Sequence, residues 1–433
     1  MLISLKRPTL FVGLVISLFG VWTILKFDLI HLTDIQLFES LVDGQPGEVP
    51  LATHDVIRSL STSDGRYFPI DMGGQPAMNP NIIPHPFLED TWILVAQLRQ
   101  DTQYFAELVC NARFEAGLLR CINNPSKLPI APTFGDKCTG GLAYIGLNQG
   151  PHDARVFYGP DKPYTIYGSN SEHTCFGQWV HDFRNLVEWG DEVDVYAEEF
   201  LFATELQRPP PWSAIEKNWF LFWDLDGHIY VHHDLVPNRV FARVENSGAV
   251  GPDMGLAVRS FDENCMRRNM PKVGPELESI HQATNSLSIT MCKRDDNSCA
   301  PDISNTFIFT VFQHKKYYNF HAVYEPYILL FEQVPPFKVS AISSKPFWIY
   351  GRKIPSSPQH TSIDLNDTHD LLNDTEPDKE EMLYITSMSW KDREQTYHGY
   401  MDDVLFIAFG IEDEKTAAVD ILAGDLMRNL NFC

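Results

Sequence analysis

Basic residues are scarce. Lys and Arg total 34 against 57 Asp and Glu, and the formal net charge of the 433-residue chain is −23. Binding a nucleic-acid backbone needs concentrated cations, so nucleic acid is excluded as the main partner and only local basic pockets remain open. Long helical periodicities are also scarce, which argues against a doubly wound α/β fold. No Cys-x-x-Cys pair occurs, so a thiolate zinc pattern is absent. No Ala-x-Ala-like site follows the N-terminal apolar run, which argues against cleavage there. No clean internal repeat marks the chain.

What is present points to a membrane-tethered β protein. Apolar residues make up 44% and aromatics 12%, enough for a sizeable core. Thr9 to Leu25, "TLFVGLVISLFGVWTIL", is uncharged over seventeen residues. At helical rise it reaches about 25 Å, enough for a thin bilayer. Lys6 and Arg7 precede it, while Lys26 after it is balanced by Asp28. The expected layout is a cytosolic tail (1–8), a transmembrane anchor in the lipid bilayer (9–25), a stem (26–75) and a lumenal domain (76–433). That is a single-pass, type II arrangement in the secretory pathway, with the Golgi as the expected membrane. All eight cysteines follow Leu25, an even number that suits disulfides. Cys292 and Cys299 flank the turn-like "KRDDNS" and read as a local pair. Asn366 and Asn373 each open an Asn-Asp-Thr sequon, a glycosylation signal for a lumenal chain.

From Asn79 onward the chain is a succession of short runs rich in Val, Ile, Tyr, Phe and Trp, such as "TWILVAQLR", "WFLFWD" and "VLFIAFG". Clusters of Gly, Pro, Asn and Asp separate them. Such a pattern over this length predicts an all-β fold, with a β-propeller favoured over a sandwich. "QYFAELVCNARFEAGLLRC" is ambiguous between helix and strand. Residues 355–382 are acidic and almost free of aromatics, and read as a solvated insertion.

Four stretches carry candidate chemistry. In "YGPDKPYTIYGS", Asp161 tips a stiff loop ahead of a strand, placed for proton transfer on a sugar; an Asx-turn is the alternative. In "IEKNWFLFWDLDGHIYVHHD", Lys217 could hold a phosphate oxygen, Asn218 could bond hydroxyls, and Trp219 could stack on a sugar face. Asp224-Leu-Asp226 has a metal-binding Asp-x-Asp form but reads better as an Asp-Gly hairpin turn. His232 and His233 are adjacent in a strand, so only one of them can join a given site. "YHGYMDDVLFIAFGIEDE" sets His398, Asp402 and Asp403 before a buried strand, as site groups or strand caps. In "FHAVYEPYILLFE", Glu325 sits in an aromatic setting that would raise its pKa.

Taken in order, "GPDKPYTIYGSNS", "EKNWFLFWD", "HAVYEPYILLFE", "SSKPFWIYGR" and "HGYMDDVLFIAFGIED" resemble the fungal β-1,2-mannosyltransferases of yeast cell walls, over about 79–433. More distantly, the chain resembles the five-bladed propeller of mannoside phosphorylases. There a Gly-x-Glu-Asp-Pro-Arg loop carries the catalytic acid; "GPDKPY" sets Asp161 at its Glu, Lys162 at its Asp and Tyr164 at its Arg. The resemblance implies a five-bladed propeller that moves mannose from a GDP-mannose donor to a mannan or mannoside acceptor, forming a β-1,2 linkage with inversion. It implies Asp161 as the base, with Glu325 and Asp403 as rivals. Arg184, Lys217, Asn218, Trp219, His233, His398 and Asp402 are the implied substrate-binding groups. No cofactor is expected, with at most weak help from a divalent metal. A phosphorylase, a hydrolase or a mannan-binding lectin is the competing reading.

Overall fold

The computed structural model describes residues 52–100, 104–147, 149–189, 199–274, 277–318, 321–354 and 380–433. The expected anchor, most of the stem, nearly all of the acidic segment, and both Asn366 and Asn373 lie outside the described residues. Among those described, no helix is long and apolar enough to cross a membrane.

The folded part is built almost wholly from strands. Two short ones come first, β1 (Asp55–Ile57) and β2 (Phe68–Asp71). Antiparallel runs follow. The first is β3 (Ala77–Pro84), β4 (Trp92–Leu98), β5 (Glu107–Glu115) and β6 (Leu118–Cys121), with β7 (Ser126–Lys127) beside β5. The second is β8 (His152–Tyr158), β9 (Pro163–Asn170), β10 (Phe176–Asp182) and β11 (Thr204–Glu205). The third is β12 (Phe220–Trp223), β13 (Ile229–Asp234) and β14 (Val240–Arg243), followed by the helix α1 (Arg259–Asn269). The fourth is β16 (Leu287–Thr290), β17 (Thr306–Tyr318), β18 (His321–Glu332) and β19 (Val339–Ser343), with β15 (Glu278–Gln282) on the far part of β17. After β20 (Phe347–Ile349) the fifth run is β21 (Leu383–Trp390), β23 (Val404–Ile411) and β24 (Lys415–Leu422). β22 (His398–Tyr400) adds to β16, and β25 (Leu430–Phe432) adds to β19. The expected mostly-β character is therefore present.

The ambiguous segment resolves into the β5–β6 hairpin. Ala116 and Gly117 both take positive φ at its turn, and Cys110–Cys121 staples its two strands. The expected local disulfide Cys292–Cys299 is formed, alongside Cys138–Cys175 and Cys265–Cys433.

Many strands are covered on both faces, which is why they read as continuous apolar runs rather than alternating ones. β12 illustrates the period of two. Phe220 and Phe222 pack with Tyr230, Phe241, Phe331 and Phe337. Leu221 and Trp223 point the other way, into the larger core with Val231 and Ile289. A one-residue slip would exchange the two sets.

Each run's first strand meets its neighbours through side chains, because packed sheets have no shared ladder. Buried Asn81 on β3 donates to the Ala154 carbonyl (2.8 Å) and accepts from the Val156 N–H (3.1 Å) on β8. Asn285, just before β16, makes the same double bond to Met388 of β21, at 3.0 Å each way. Gln313 on β17 repeats it with Ile385. Ser286 donates to Leu221 of β12 (2.7 Å), and Thr386 of β21 donates to Pro80 of β3 (2.5 Å). The links run around a ring.

β2 closes that ring. It pairs antiparallel with β24 of the last run and parallel with β6 of the first. Beside it, fully buried Asp420 accepts from Ser59 (2.6 Å), Ser61 (2.7 Å) and Lys391 (2.8 Å).

Replacing Asn285 with Ala strands a buried carbonyl and a buried N–H of Met388. At about 1–3 kcal/mol for each orphaned group, the expected loss is about 2–6 kcal/mol in urea unfolding. Asn429→Ala, which removes an exposed bond to Asp55, should cost under about 0.5 kcal/mol. Equal losses would show that the amide bridge does not hold the runs together.

Candidate active site

The strand directions give the ring two ends. The first strands of the runs start at one end, so His152, Trp219, Thr284 and Leu383 gather there. A small cavity of about 30 Å³, partly open to solvent, sits at that mouth. His152, Asp153, Arg155, Phe176, Gln178, Lys217, Asn218, Trp219 and Thr284 line it.

Asp153 is the most constrained of these. Its φ is +51°, a left-handed conformation that non-glycine residues adopt at a cost. Three strands of the first run hold it there. Asn79 in the β3 bulge donates to its carboxylate (2.7 Å), and Gln97 on β4 accepts its N–H (2.8 Å). Glu107 on β5 accepts the next N–H, that of Ala154 (3.2 Å). The Asp153 carboxylate is exposed to the cavity. Gly150, with φ +102°, lets the chain pass close to Phe105: a Cβ there would stand 2.2 Å from the Phe105 carbonyl oxygen.

Arg155 lies beneath Asp153. It is buried, donates to the Asp153 carbonyl (2.8 Å) and the Ala283 carbonyl (3.3 Å), and sits 6.0 Å from the Tyr384 ring centre. Asn218 also has positive φ, +63°, and its carbonyl accepts from Gln282 (3.1 Å). Trp219 is only 4% exposed, so little of its ring is open to the cavity. Lys217 is exposed, with no carboxylate in ion-pair range among the described residues.

The mouth divides its charges. Burial pushes the His152 imidazole down to about 4, against a smaller opposing pull from Asp153. Burial, then Lys315 and Lys217, push His281 down to about 4. Both rings are thus neutral near pH 7, and the fixed cations are Arg155, Lys217 and Lys315. Opposing them are Asp153 and Asp413, the latter on the β23–β24 turn. Partial desolvation, then Asp153 and Glu412, raise the Asp413 carboxyl above its ordinary range, while Lys315 lowers it.

The residues expected from sequence separate into groups. Lys217, Asn218 and Trp219 come together at the cavity. His233 stands behind them, its ring 5.3 Å from that of Trp219 and its Nδ1 2.9 Å from Asp234. His232 points to the other face, stacked on Phe220. Asp161 is at the opposite end of the ring, exposed in the β8–β9 turn that the Gly159 N–H closes onto the Lys162 carbonyl (2.8 Å). Lys162 does not face it, but points inward to the Glu199 carbonyl (2.8 Å) and Asp182 (3.5 Å). Arg184 forks onto Asp182 at the same end (3.0 and 2.7 Å).

Asp403 accepts two bonds from Arg294 (3.0 and 2.7 Å) and one from the Tyr400 N–H (2.7 Å), as a cap before β23. Asp402 accepts from the Arg294 N–H (2.7 Å), and His398 bonds Thr290 (2.8 Å). Glu325 is buried in β18 and bonded to His54 (2.6 Å), with Arg352 at 4.0 Å. Burial alone would raise its carboxyl, as the sequence suggested, but the His54 bond and the Arg352 charge hold it below the ordinary range. The Asp224, Asp226 and His228 side chains lie close enough to share a cation. Asp224 is already engaged by the Asp226 and His228 N–H groups (3.0 and 2.9 Å) and the Tyr230 hydroxyl (2.9 Å), the bonding of a hairpin turn.

Sequence reasoning passed over Asp153 and Arg155. The signal was there: Gly150-Pro151-His152-Asp153-Ala154-Arg155 sets Gly, Asp and Arg at the spacing of Gly-x-Glu-Asp-Pro-Arg.

No family model and no curated protein matches the chain. Among solved structures it is similar to the β-1,2-mannobiose phosphorylase from Listeria innocua, at 10% identity and TM-score 0.41, covering 81% of this chain and 91% of that one. It is similar to a GDP-Man-dependent mannosyltransferase from Leishmania mexicana, at 8% identity and TM-score 0.36, covering 82% and 88%. It is also similar to an α-L-arabinofuranosidase from Lactobacillus brevis, at 10% identity and TM-score 0.40, covering 79% and 90%. Likenesses this distant carry no functional argument, which rests on the site.

The low-lying imidazoles have a consequence in acid. Between about pH 6.5 and about 4 the unfolded chain binds protons that folded His152 and His281 refuse, so stability falls as pH falls through that window. Urea unfolding at pH 7 and pH 5 should show a smaller loss for the His152→Gln/His281→Gln variant than for the unsubstituted protein. An equal loss would mean that the two rings titrate normally.

Proposed function

We propose that the chain is an inverting mannosyltransferase that moves mannose from GDP-mannose to a mannan or mannoside acceptor, forming a β-1,2 linkage. The observation that carries the reading is Asp153: a carboxylate fixed in a strained conformation, open to a cavity that also holds an unpaired lysine. Strain held by three neighbouring strands is expected where position matters for chemistry. In this reading Asp153, rather than Asp161, takes the proton from the acceptor hydroxyl. The acceptor oxygen bonds C1 of mannose, the C1–O bond to the diphosphate breaks, and GDP leaves. Lys217 and Lys315 stabilise the departing diphosphate, and Arg155 holds the Asp153 backbone. Neutral His152 and His281 leave those cations as the main positive charge. The five antiparallel runs are read as the blades of a propeller whose central mouth is the active site.

Asp153→Asn keeps the shape and removes the base, so turnover should fall about 10²–10⁴-fold. Lys217→Ala should chiefly raise KM for the donor. The purified domain is incubated with mannobiose plus GDP-mannose, or plus mannose 1-phosphate. Product from GDP-mannose alone supports the reading; product from mannose 1-phosphate alone makes the enzyme a phosphorylase, and no product with either donor leaves a hydrolase or a lectin.

The anchor is proposed from sequence: Thr9–Leu25 spans the membrane with the catalytic domain in the lumen. Protease added to sealed microsomes should spare the domain until detergent is present. Digestion without detergent would reverse the orientation.

A further inference from the structure

Glu107 has no place in the chemistry above, yet it is the most deeply enclosed carboxyl near it. It is 0% exposed at the start of β5. Its Oε1 accepts the Ala154 N–H (3.2 Å), and its Oε2 has no hydrogen-bond partner among the described residues. A structural carboxylate would be paired on both oxygens, because an unpaired buried charge is costly. A neutral acid fits the site better.

We propose that Glu107 is a positioning residue for Asp153: a carboxylic acid that keeps its proton and, with Asn79 and Gln97, fixes the left-handed turn presenting the Asp153 carboxylate to the cavity. The inference rests on the assignment of Asp153 as the base. The three side chains come from three adjacent strands and engage consecutive groups: the Asp153 carboxylate, the Asp153 N–H and the Ala154 N–H. With all three in place the turn has no freedom to relax towards ordinary strand geometry. Burial pushes the Glu107 carboxyl up to about 8. The Ala154 bond and Arg155 lower it, and Asp153 raises it. Gln97 on β4 and Asn79 on β3 are neutral. Deprotonation would set a second negative charge behind Asp153, on a carboxylate whose Oε2 has no donor to hold it among the described residues.

The test uses the whole folded domain. Glu107→Ala should lower kcat about 10–100-fold with the donor KM changed less than about 3-fold, since misplacement by about 1 Å costs rates of that order. Glu107→Gln keeps the acceptor and cannot ionise. It should restore kcat to within about 3-fold at pH 6.5 and remove the loss of activity above about pH 8.

A readout independent of turnover is the stability profile. Folded Glu107 holds a proton that the unfolded chain releases near 4.5, so its contribution is complete below that pH and is lost as pH rises through about 8. The urea midpoint of the unsubstituted protein should therefore fall relative to Glu107→Gln across this range. If Asp153→Asn is inactive while Glu107→Ala and Glu107→Gln match the unsubstituted protein in rate and pH profile, the positioning role is overturned and the base assignment stands. If Asp153→Asn stays active, the base assignment falls and this inference with it. Should Glu107→Ala fail to fold, an unchanged alkaline limb and a parallel stability profile in Glu107→Gln overturn the proposal.

Discussion

Where the first strands of neighbouring runs face one another they share no hydrogen-bond ladder, and the buried amides of Asn81, Asn285 and Gln313 supply what is missing. Each offers a donor and an acceptor at once, so one side chain stands in for a strand's edge and satisfies both backbone groups opposite. A hydroxyl such as that of Ser286 or Thr386 can fix a distance. A doubly bonded amide also fixes the angle between two sheets. The cavity depends on how the runs are set against one another, because its walls come from the second, third and fourth runs together. A small rotation of one run would carry Lys217 away from Asp153 without breaking any strand.

The mouth is also where the backbone departs from strand geometry. Asn79, Asp153 and Asn218 take positive φ at the starts of β3, β8 and β12. Asn and Asp are the side-chain-bearing residues that tolerate this region best. Each departure turns a polar group that would otherwise lie in a ladder. Asn79 reaches the Asp153 carboxylate, Asp153 faces the cavity, and the Asn218 carbonyl meets Gln282. Stability is spent at these positions and recovered in the apolar faces of the runs, where strands are buried on both sides.

Much of the fold was legible because it is local. Aromatic and β-branched runs between turn residues marked the strands, and Asp226-Gly227 marked the β12–β13 hairpin. Lys217, Asn218 and Trp219 were legible as a group at a strand start beside a pocket. The helix α1 was not: among the residues that punctuate strands, nothing in Arg259–Asn269 sets it apart. That Asp161 stood out in the sequence and Asp153 did not has a physical cause. Asp153 and Asp161 lie at opposite ends of one strand, each behind a Gly-Pro pair or close to one, and a stiff loop looks the same at either end of a ring. Which end carries the site depends on where the other first strands begin, a fact of assembly rather than of local sequence. Likewise, an aromatic neighbourhood around Glu325 suggested a raised carboxyl. The partners that reverse its direction, His54 and Arg352, come from distant parts of the chain.

The closing strand β2 imposes an order in time. A ribosome makes Phe68–Asp71 early and its antiparallel partner Lys415–Leu422 late, and in between β2 can pair only with the two residues of β6 that it meets. The nascent chain therefore carries an open sheet edge on both its first and its current last run until β24 emerges. Closure joins the oldest part of the domain to nearly the newest, across the whole length of chain that builds the ring between them.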